Sequence, residues 1–384
     1  MKKFTSAIII THVAYRNNPP YDPIEGPANS ICKALVDVAE NIKIVQVPID
    51  GFKQPLVYGR PEDQKKLKIP RFLGVITPIK YILDIAIISV FTIGYNLLNM
   101  RRDKIFIGVD PLSCLPLIIF KKLFNYKLVF YSVDFNKKRF KNSILQGLYE
   151  WSDKVSSLYS DQVWVVSESL QMYKQYKYKI KSIYIPNAPI FNQDFYADNR
   201  HLKRGNKLAW SGSFLTERQF DIFFTVLKNI QSINPNLEIY LVPIWDHEKF
   251  ETHCNKYELK QCKILKMYSR LEWQQFAAKC DVGIAIYDDQ FGSTEFIEPL
   301  KIWDFMMCGL PFIISKEPSI ATFIKKSGVA YFLDFKNKIP LDSSLRDFLS
   351  HGSIEKLQPI CIDITKRFSI DKRVEQALNI WTNI

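Results

Sequence analysis

Short β-branched apolar runs alternate with longer helix-like stretches along the whole chain, and this rhythm limits the folds open to it. In the first half the runs are "SAIIITHV", "IKIVQVPI", "KIFIGV", "KLVFYSV", "DQVWVVS" and "KSIYIPN"; in the second they are "KLAWSG", "LEIYLVP", "CKILKM", "DVGIAIY", "PFIIS" and "VAYFL". Such runs, without clean polar alternation, suit strands buried on both faces, which means parallel strands covered by helices. Two successive sets predict an α/β chain of two doubly wound, Rossmann-like domains, with ligand in a central cleft at the carboxyl ends of the strands. A length of 384 residues also favours two cores over one. The joint is expected in "PNAPIFNQDFYADNRHLKRGNK" (Pro186 to Lys207), which is polar, rich in Pro and Asn, and without periodicity. The expected division is 1–190, 205–365, and a helical tail over 366–384 that packs back on the first domain.

With 47% hydrophobic and 24% charged residues, and no repeat or low-complexity tract, the chain is neither disordered nor a solenoid. Its formal charge of +13 favours an anionic partner. The cations cluster in the first half: Arg101, Arg102 and Lys104; Lys121 and Lys122; Lys137, Lys138, Arg139 and Lys141; Lys174, Lys177, Lys179 and Lys181. A solvated face is one reading of this bias and a surface resting on anionic lipid the other. Nucleic acid is not expected, because the clusters accompany no reading module.

Seven scattered Cys argue against a disulfide framework and a zinc site, and for a reducing cytoplasm. The start "MKKFTSAIIITHVAY" reads as a buried first strand, its apolar run being too short for a signal peptide and broken by His12. "PIKYILDIAIISVFTIGYNLLNM" (Pro78 to Met100) is long and apolar, but Lys80, Asp84, Gly94 and Asn96 interrupt it. A buried or membrane-lying helix is expected there instead of a spanning one.

The stretch "EPLKIWDFMMCGLPFIIS" (Glu298 to Ser315) carries the most chemistry. Pro299 suits the first turn of a helix and Gly309 the left-handed position just past its end, so a helix is expected from about Pro299 to Cys308. Its amino end would favour a phosphate. One turn deeper, Asp304 could accept hydrogen bonds from two vicinal hydroxyls, as ribose offers. The bland alternative is an amphipathic helix with a surface Lys301–Asp304 pair.

At these residues the chain resembles the group 1 bacterial glycosyltransferases of the GT-B fold, in a variant with a "P-L-K-x-x-[DE]" donor motif. The acidic residue five positions before "G-x-P" contacts the donor ribose in that group, and Asp304 stands there relative to "GLP". "KLAWSGSFLTERQF" (Lys207 to Phe220) resembles the loop that wraps the diphosphate, with Gly212 at the glycine and Arg218 at the basic position. "YIPNAP" (Tyr184 to Pro189) resembles the hinge, "CDVGIAIYDD" (Cys280 to Asp289) the strand before the donor helix, and "EGPANSICKAL" (Glu25 to Leu35) the glycine-rich first loop. "VFYSVDF" (Val129 to Phe135) stands where the group has a strand ending in Asp. Three positions depart from the pattern: Ser213 replaces the loop Arg, Pro27 a loop Gly, and Phe296 the first Glu of the retaining pair. The stereochemical outcome therefore does not carry over.

The resemblance implies transfer of a sugar from a nucleotide-sugar donor, UDP-linked, to a lipid-linked or growing glycan acceptor, without a metal or other cofactor. It implies a cytoplasmic enzyme, peripheral on the anionic inner face of a bacterial membrane, in surface polysaccharide synthesis. The expected donor residues are Gly212, Ser213, Arg218, Glu298, Pro299, Leu300, Lys301 and Asp304, and the expected acceptor contacts Glu25 and Gly26. An inverting reaction needs a general base, for which Asp134 is the first candidate and His12 the second. Asp134 could equally cap a helix, and Asp288–Asp289 reads as a solvated turn, not a metal site. A sugar-nucleotide epimerase, or a degenerate protein that binds sugar nucleotide without turnover, remains open.

Overall fold

The computed structural model describes residues 4–14, 26–49, 55–59, 65–66, 77–100, 103–133, 135–192, 206–214, 216–267, 269–287, 294–334 and 343–382. The chain divides into two compact units, Met1–Ile190 with Ile370–Ile384, and Phe191–Ser369.

The first unit is built on β1 (Phe4–Val13), β2 (Ala39–Pro48), β3 (Leu56–Tyr58), β4 (Lys65–Lys66), β5 (Lys104–Val109), β6 (Lys127–Ser132), β7 (Gln162–Val165) and β8 (Ile183–Tyr184). They form one sheet in the order β4-β3-β2-β1-β5-β6-β7-β8. The central strands are parallel and Ile8, Ile9 and Ile10 of β1 have no exposed surface, as expected of an unalternated apolar run covered on both faces. Only the pairings of β3, with β2 and with β4, are antiparallel; β3 and β4 extend the edge and were not visible as apolar runs.

Helices α1 (Pro27–Ala34), α2 (Thr77–Leu98), α3 (Pro111–Phe124), α4 (Ser143–Tyr159) and α5 (Glu168–Tyr178) cover this sheet. From β5 to β8 the chain steps one strand at a time in the same direction. Right-handed crossovers therefore put α3, α4 and α5 on one face. Helix α2 packs against α3 in the same layer. The step from β1 to β2 runs the other way, so α1 takes the opposite face.

The second unit has β9 (Lys207–Gly212), β10 (Glu238–Pro243), β11 (Cys262–Ile264), β12 (Val282–Ala285), β13 (Phe312–Ser315) and β14 (Ala330–Leu333), all parallel, in the order β11-β10-β9-β12-β13-β14. Its helices are α6 (Glu217–Ile233), α7 (His247–Lys256), α8 (Arg270–Ala277), α9 (Leu300–Met307), α10 (Ser319–Lys325), α11 (Ser343–Phe348) and α12 (His351–Arg367). Trp210 on β9 lies 5.0 Å, centroid to centroid, from each of Phe214, Phe223 and Phe250, joining β9, α6 and α7 in one aromatic core. Truncating such a buried Phe to Ala costs about 3–5 kcal/mol.

The last helix, α13 (Ile370–Asn379), belongs to the first unit. It packs on α1; Gln162 Nε2 donates to the Ala377 carbonyl at 3.0 Å and Arg373 Nη2 to the Tyr184 carbonyl at 2.8 Å. All twelve apolar runs are strands, and both sheets are doubly wound.

Candidate functional site

In the second unit, chemistry gathers at the carboxyl end of β9, the edge at which open parallel sheets bind ligands. Gly212 closes that strand with φ +146°, a conformation that side chains other than glycine avoid. Its carbonyl accepts from the Ile244 N–H at 2.8 Å, which pins the turn to the end of β10. Any Cβ on Gly212 would collide with the Lys301 ammonium, so the backbone and that charge lie in direct apposition.

Helix α9 aims Lys301 at this turn. Pro299 is its N-cap and Leu300 its first residue, one position later than expected. Cys308 is the C-cap, and Gly309 follows at φ +67°. The N–H of Leu310 bonds the Phe305 carbonyl at 2.9 Å and that of Gly309 the Met306 carbonyl at 3.0 Å, a complete Schellman motif. Just upstream, buried Glu298 accepts from Trp303 Nε1 at 2.8 Å, so its carboxylate fastens the helix start.

The Lys301 Nζ stands 5.0 Å from the Trp210 ring and 5.7 Å from the Tyr287 ring. Among the described residues it has neither a carboxylate nor a hydrogen-bond acceptor, and burial lowers its pKa to about 7. The buried Trp210 Nε1 and Tyr287 Oη also lack a hydrogen-bond partner among the described residues. A half-buried cation with no counter-ion among the described residues is costly to fold. An anion lodged at the Gly212 turn would remove that cost.

Asp304 is spoken for. Its carboxylate, 4% exposed, accepts from Arg270 Nη2 at 2.7 Å and Nε at 3.0 Å, and from Gln274 Nε2 at 2.8 Å. In place of the alternative, a surface pair with Lys301, the carboxylate makes a buried fork with α8, and ribose would have to share a carboxylate already held inside the unit. Ser213 follows the turn half-buried, and Arg218 is exposed in the first turn of α6. Thr216 caps that helix, its Oγ1 accepting from the Gln219 N–H at 3.3 Å.

In the first unit the expected base candidate His12 lies near the end of β1, beside the end of β5. Its Nδ1 is 2.8 Å from Asp110 Oδ2 and 3.0 Å from Ser113 Oγ, and its Nε2 is 3.3 Å from Asp84 Oδ2 on α2. Asp110 is the N-cap of α3, accepting from the Ser113 N–H at 2.9 Å with an unusual φ of +91°. Lys80 pairs with Asp84. Burial alone would lower the His12 pKa, but the charges and hydrogen bonds of Asp110 and Asp84 outweigh it and raise the value to about 9. Burial likewise works against the Asp110 carboxylate, which His12 and Ser113 nevertheless hold below its ordinary range. With a pKa of about 9, His12 is an imidazolium at neutral pH, and both its nitrogens face acceptors.

His12, Lys80, Tyr81, Asp110, Arg139 and Tyr149 line a cavity of about 20 Å³, enough for a single water. Gly26 is the N-cap of α1, its N–H donating to Asn29 Oδ1 at 3.2 Å, and Pro27 takes the first helical position. Glu25, Asp134, Asp288 and Asp289 lie outside the described residues.

Residue reading missed the partners that give these groups their character. Asp110 carries the one clear signal, since an Asp before "PLS" is a capping pattern with Pro at the first helical position. Arg270 and Gln274 are one turn apart on α8, but nothing in their spacing names Asp304 as their target.

No family model and no curated protein matches the chain. Solved structures do. Sucrose-phosphate synthase of Thermosynechococcus elongatus aligns with a TM-score of 0.70 at 12% identity, covering 99% of each chain. The α,α-trehalose 6-phosphate synthase of Burkholderia multivorans gives 0.63 at 10% identity, over 100% of this chain and 97% of its own. HepE of Anabaena, in complex with UDP and glucose, gives 0.60 at 10% identity, over 99% and 100%. With its two doubly wound units matched end to end by these structures, the chain has the GT-B glycosyltransferase fold.

Proposed function

We propose that the protein is a glycosyltransferase that moves a sugar from a nucleotide-sugar donor, UDP-linked, to a lipid-linked or growing glycan acceptor. The observation that carries this reading is the Lys301 ammonium at the Gly212 turn, which has no counter-ion among the described residues and which a diphosphate would compensate. The UDP held by a protein of the same fold supports uridine diphosphate as the leaving group.

In the reaction the bond between the anomeric carbon and the diphosphate oxygen breaks, with the electron pair leaving on the diphosphate. A bond from the acceptor oxygen to the anomeric carbon forms, and the acceptor hydroxyl gives up its proton. Lys301 and the N–H groups at the start of α6 stabilise the charge that develops on the leaving group, which needs no metal. Asp304, held by Arg270, positions α9 and offers its less engaged Oδ2 to the ribose. A place on the cytoplasmic face of the membrane in surface polysaccharide assembly fits a basic first unit.

The test is to incubate the purified protein with UDP-sugars and a lipid extract and to measure UDP release and sugar incorporation. Release of UDP that depends on both extract and Lys301 is the expected result. Conversion of a UDP-sugar to its epimer without acceptor would instead make the protein an epimerase.

A further inference from the structure

The exposed apolar side chains are distributed very unevenly. Of the nineteen large ones among the described residues, fourteen lie between Ile82 and Tyr176, and only Leu271 and Ile360 belong to the second unit. That segment is the α2, α3, α4 and α5 layer of the first unit. On α2, Ile82, Val90 and Leu97 are 66%, 71% and 58% exposed and recur about every two turns, in one stripe. On α4, Ile144, Leu148 and Trp151 recur every turn and also form one stripe. Successive helices of the layer pack side by side, so the stripes share its outer face.

Cations border the stripes. Lys122 is exposed on α3, Lys137, Lys138, Arg139 and Lys141 lead into α4, and Lys154 and Lys177 stand on α4 and α5. The acidic groups of the same layer are largely engaged. Glu150 pairs with Lys177, Asp153 with Lys174, Asp161 with Lys121, and Asp84 with Lys80 and His12; Glu168, at the start of α5, is exposed. Apolar stripes flanked by lysines are the composition of a surface that lies on anionic lipid, the apolar side chains entering the headgroup boundary and the cations meeting phosphates.

Helix α2 is long and apolar enough to cross a membrane, but the structure argues against its leaving the unit. Its Lys80 and Asp84 are buried, and Asp84 bonds His12; spanning would strip both from their partners. The same helix thus carries an apolar stripe outward and closes the His12 cavity at its first turns. We infer that the outer face of α2 to α5 docks on an anionic membrane surface, so that α2 leads from the bilayer to the His12 pocket. The inference deepens the proposed function by fixing the acceptor as lipid-borne, and it rests on that reading only for the last step.

The test is co-sedimentation of the full-length protein with phosphatidylcholine vesicles containing or lacking phosphatidylglycerol, at low and high salt. Expected is binding to the anionic vesicles only, weakened by salt. Lys138→Glu with Lys141→Glu should lower the partition coefficient by roughly thirtyfold or more. Leu148→Ser with Trp151→Ser should lower it comparably, while UDP-induced thermal stabilisation, read in parallel, stays as in the parent. Failure to bind anionic vesicles at low salt, with the UDP response intact, overturns the docking and leaves the donor reading standing. Concentration-dependent dimerisation that the Leu148 and Trp151 substitutions abolish would also overturn it, reassigning the face to a second copy of the chain.

Discussion

Arg270 lays its guanidinium along the Asp304 carboxylate, with Nη2 2.7 Å from Oδ1 and Nε 3.0 Å and 3.2 Å from Oδ1 and Oδ2. Gln274, one turn on, donates to the same Oδ1 at 2.8 Å. The pair fixes α9 to α8 and so sets where Lys301 points. Removing one partner of a buried pair leaves the other charge uncompensated, at a cost of about 3–5 kcal/mol. Arg270→Ala should therefore lower the calorimetric transition of the second unit by roughly 10 °C, and Arg270→Lys, which keeps the charge but not the fork, by less. A change under about 1 kcal/mol would mean that the fork is not what holds α9.

Lys301 should make nucleotide binding consume a proton. Its pKa in the folded protein is lowered to about 7, so between there and the ordinary lysine range the unfolded chain binds more protons, and stability rises with pH across that window. A bound diphosphate restores the charged form. Calorimetric titration of UDP at pH 8, in two buffers of different ionisation heat, should show uptake of about one proton. The uptake should vanish in Lys301→Met.

The His12 cluster should titrate in the opposite sense. The folded pKa of about 9 lies above the ordinary 6.5, so the stabilisation is fully present below about pH 6.5 and is lost as pH rises through 9. Because Lys301 contributes an opposing slope from about pH 7, the useful quantity is the stability difference between the parent and His12→Gln. That difference should shrink by on the order of 3 kcal/mol between pH 6 and 10. A flat difference would show His12 to be neutral in the folded protein.

Cys254 and Cys262 come within 3.1 Å, sulfur to sulfur, although their spacing in the sequence suggested no pairing. A small-molecule disulfide such as oxidised glutathione should take two electrons and two protons from the pair and close an intramolecular disulfide. Intact mass should fall by two hydrogens, and Cys262→Ser should abolish the change. Glutathione left on the parent as a stable adduct would contradict the geometry.

The twelve apolar runs announced both sheets because buried parallel strands need continuous β-branched sequence, which is a local property. Strand β4 is two lysines long and β3 three residues, too short for any pattern to register. The glycine at the end of β9 and the limits of α9 were legible to within a residue, since caps and left-handed turns have local residue signatures. What surrounds each charged group was not. His12 reads as a candidate base until Asp84 and Asp110, 72 and 98 residues away, are placed against it. Asp304 reads as a carboxylate wholly free for ribose until Arg270 arrives from α8 and engages chiefly its Oδ1. Whether a carboxylate or an imidazole is free for chemistry depends on tertiary neighbours that no local spacing encodes.

The measurement that bears most directly on the donor site is calorimetric titration of UDP into the parent protein and into Lys301→Met at pH 7. Saturable binding to the parent, weakened at least tenfold in the variant while its fold is retained and its thermal midpoint is no lower, is the expected result. No binding of UDP to the parent, or equal affinity in both proteins, would contradict a diphosphate site at Gly212 and Lys301.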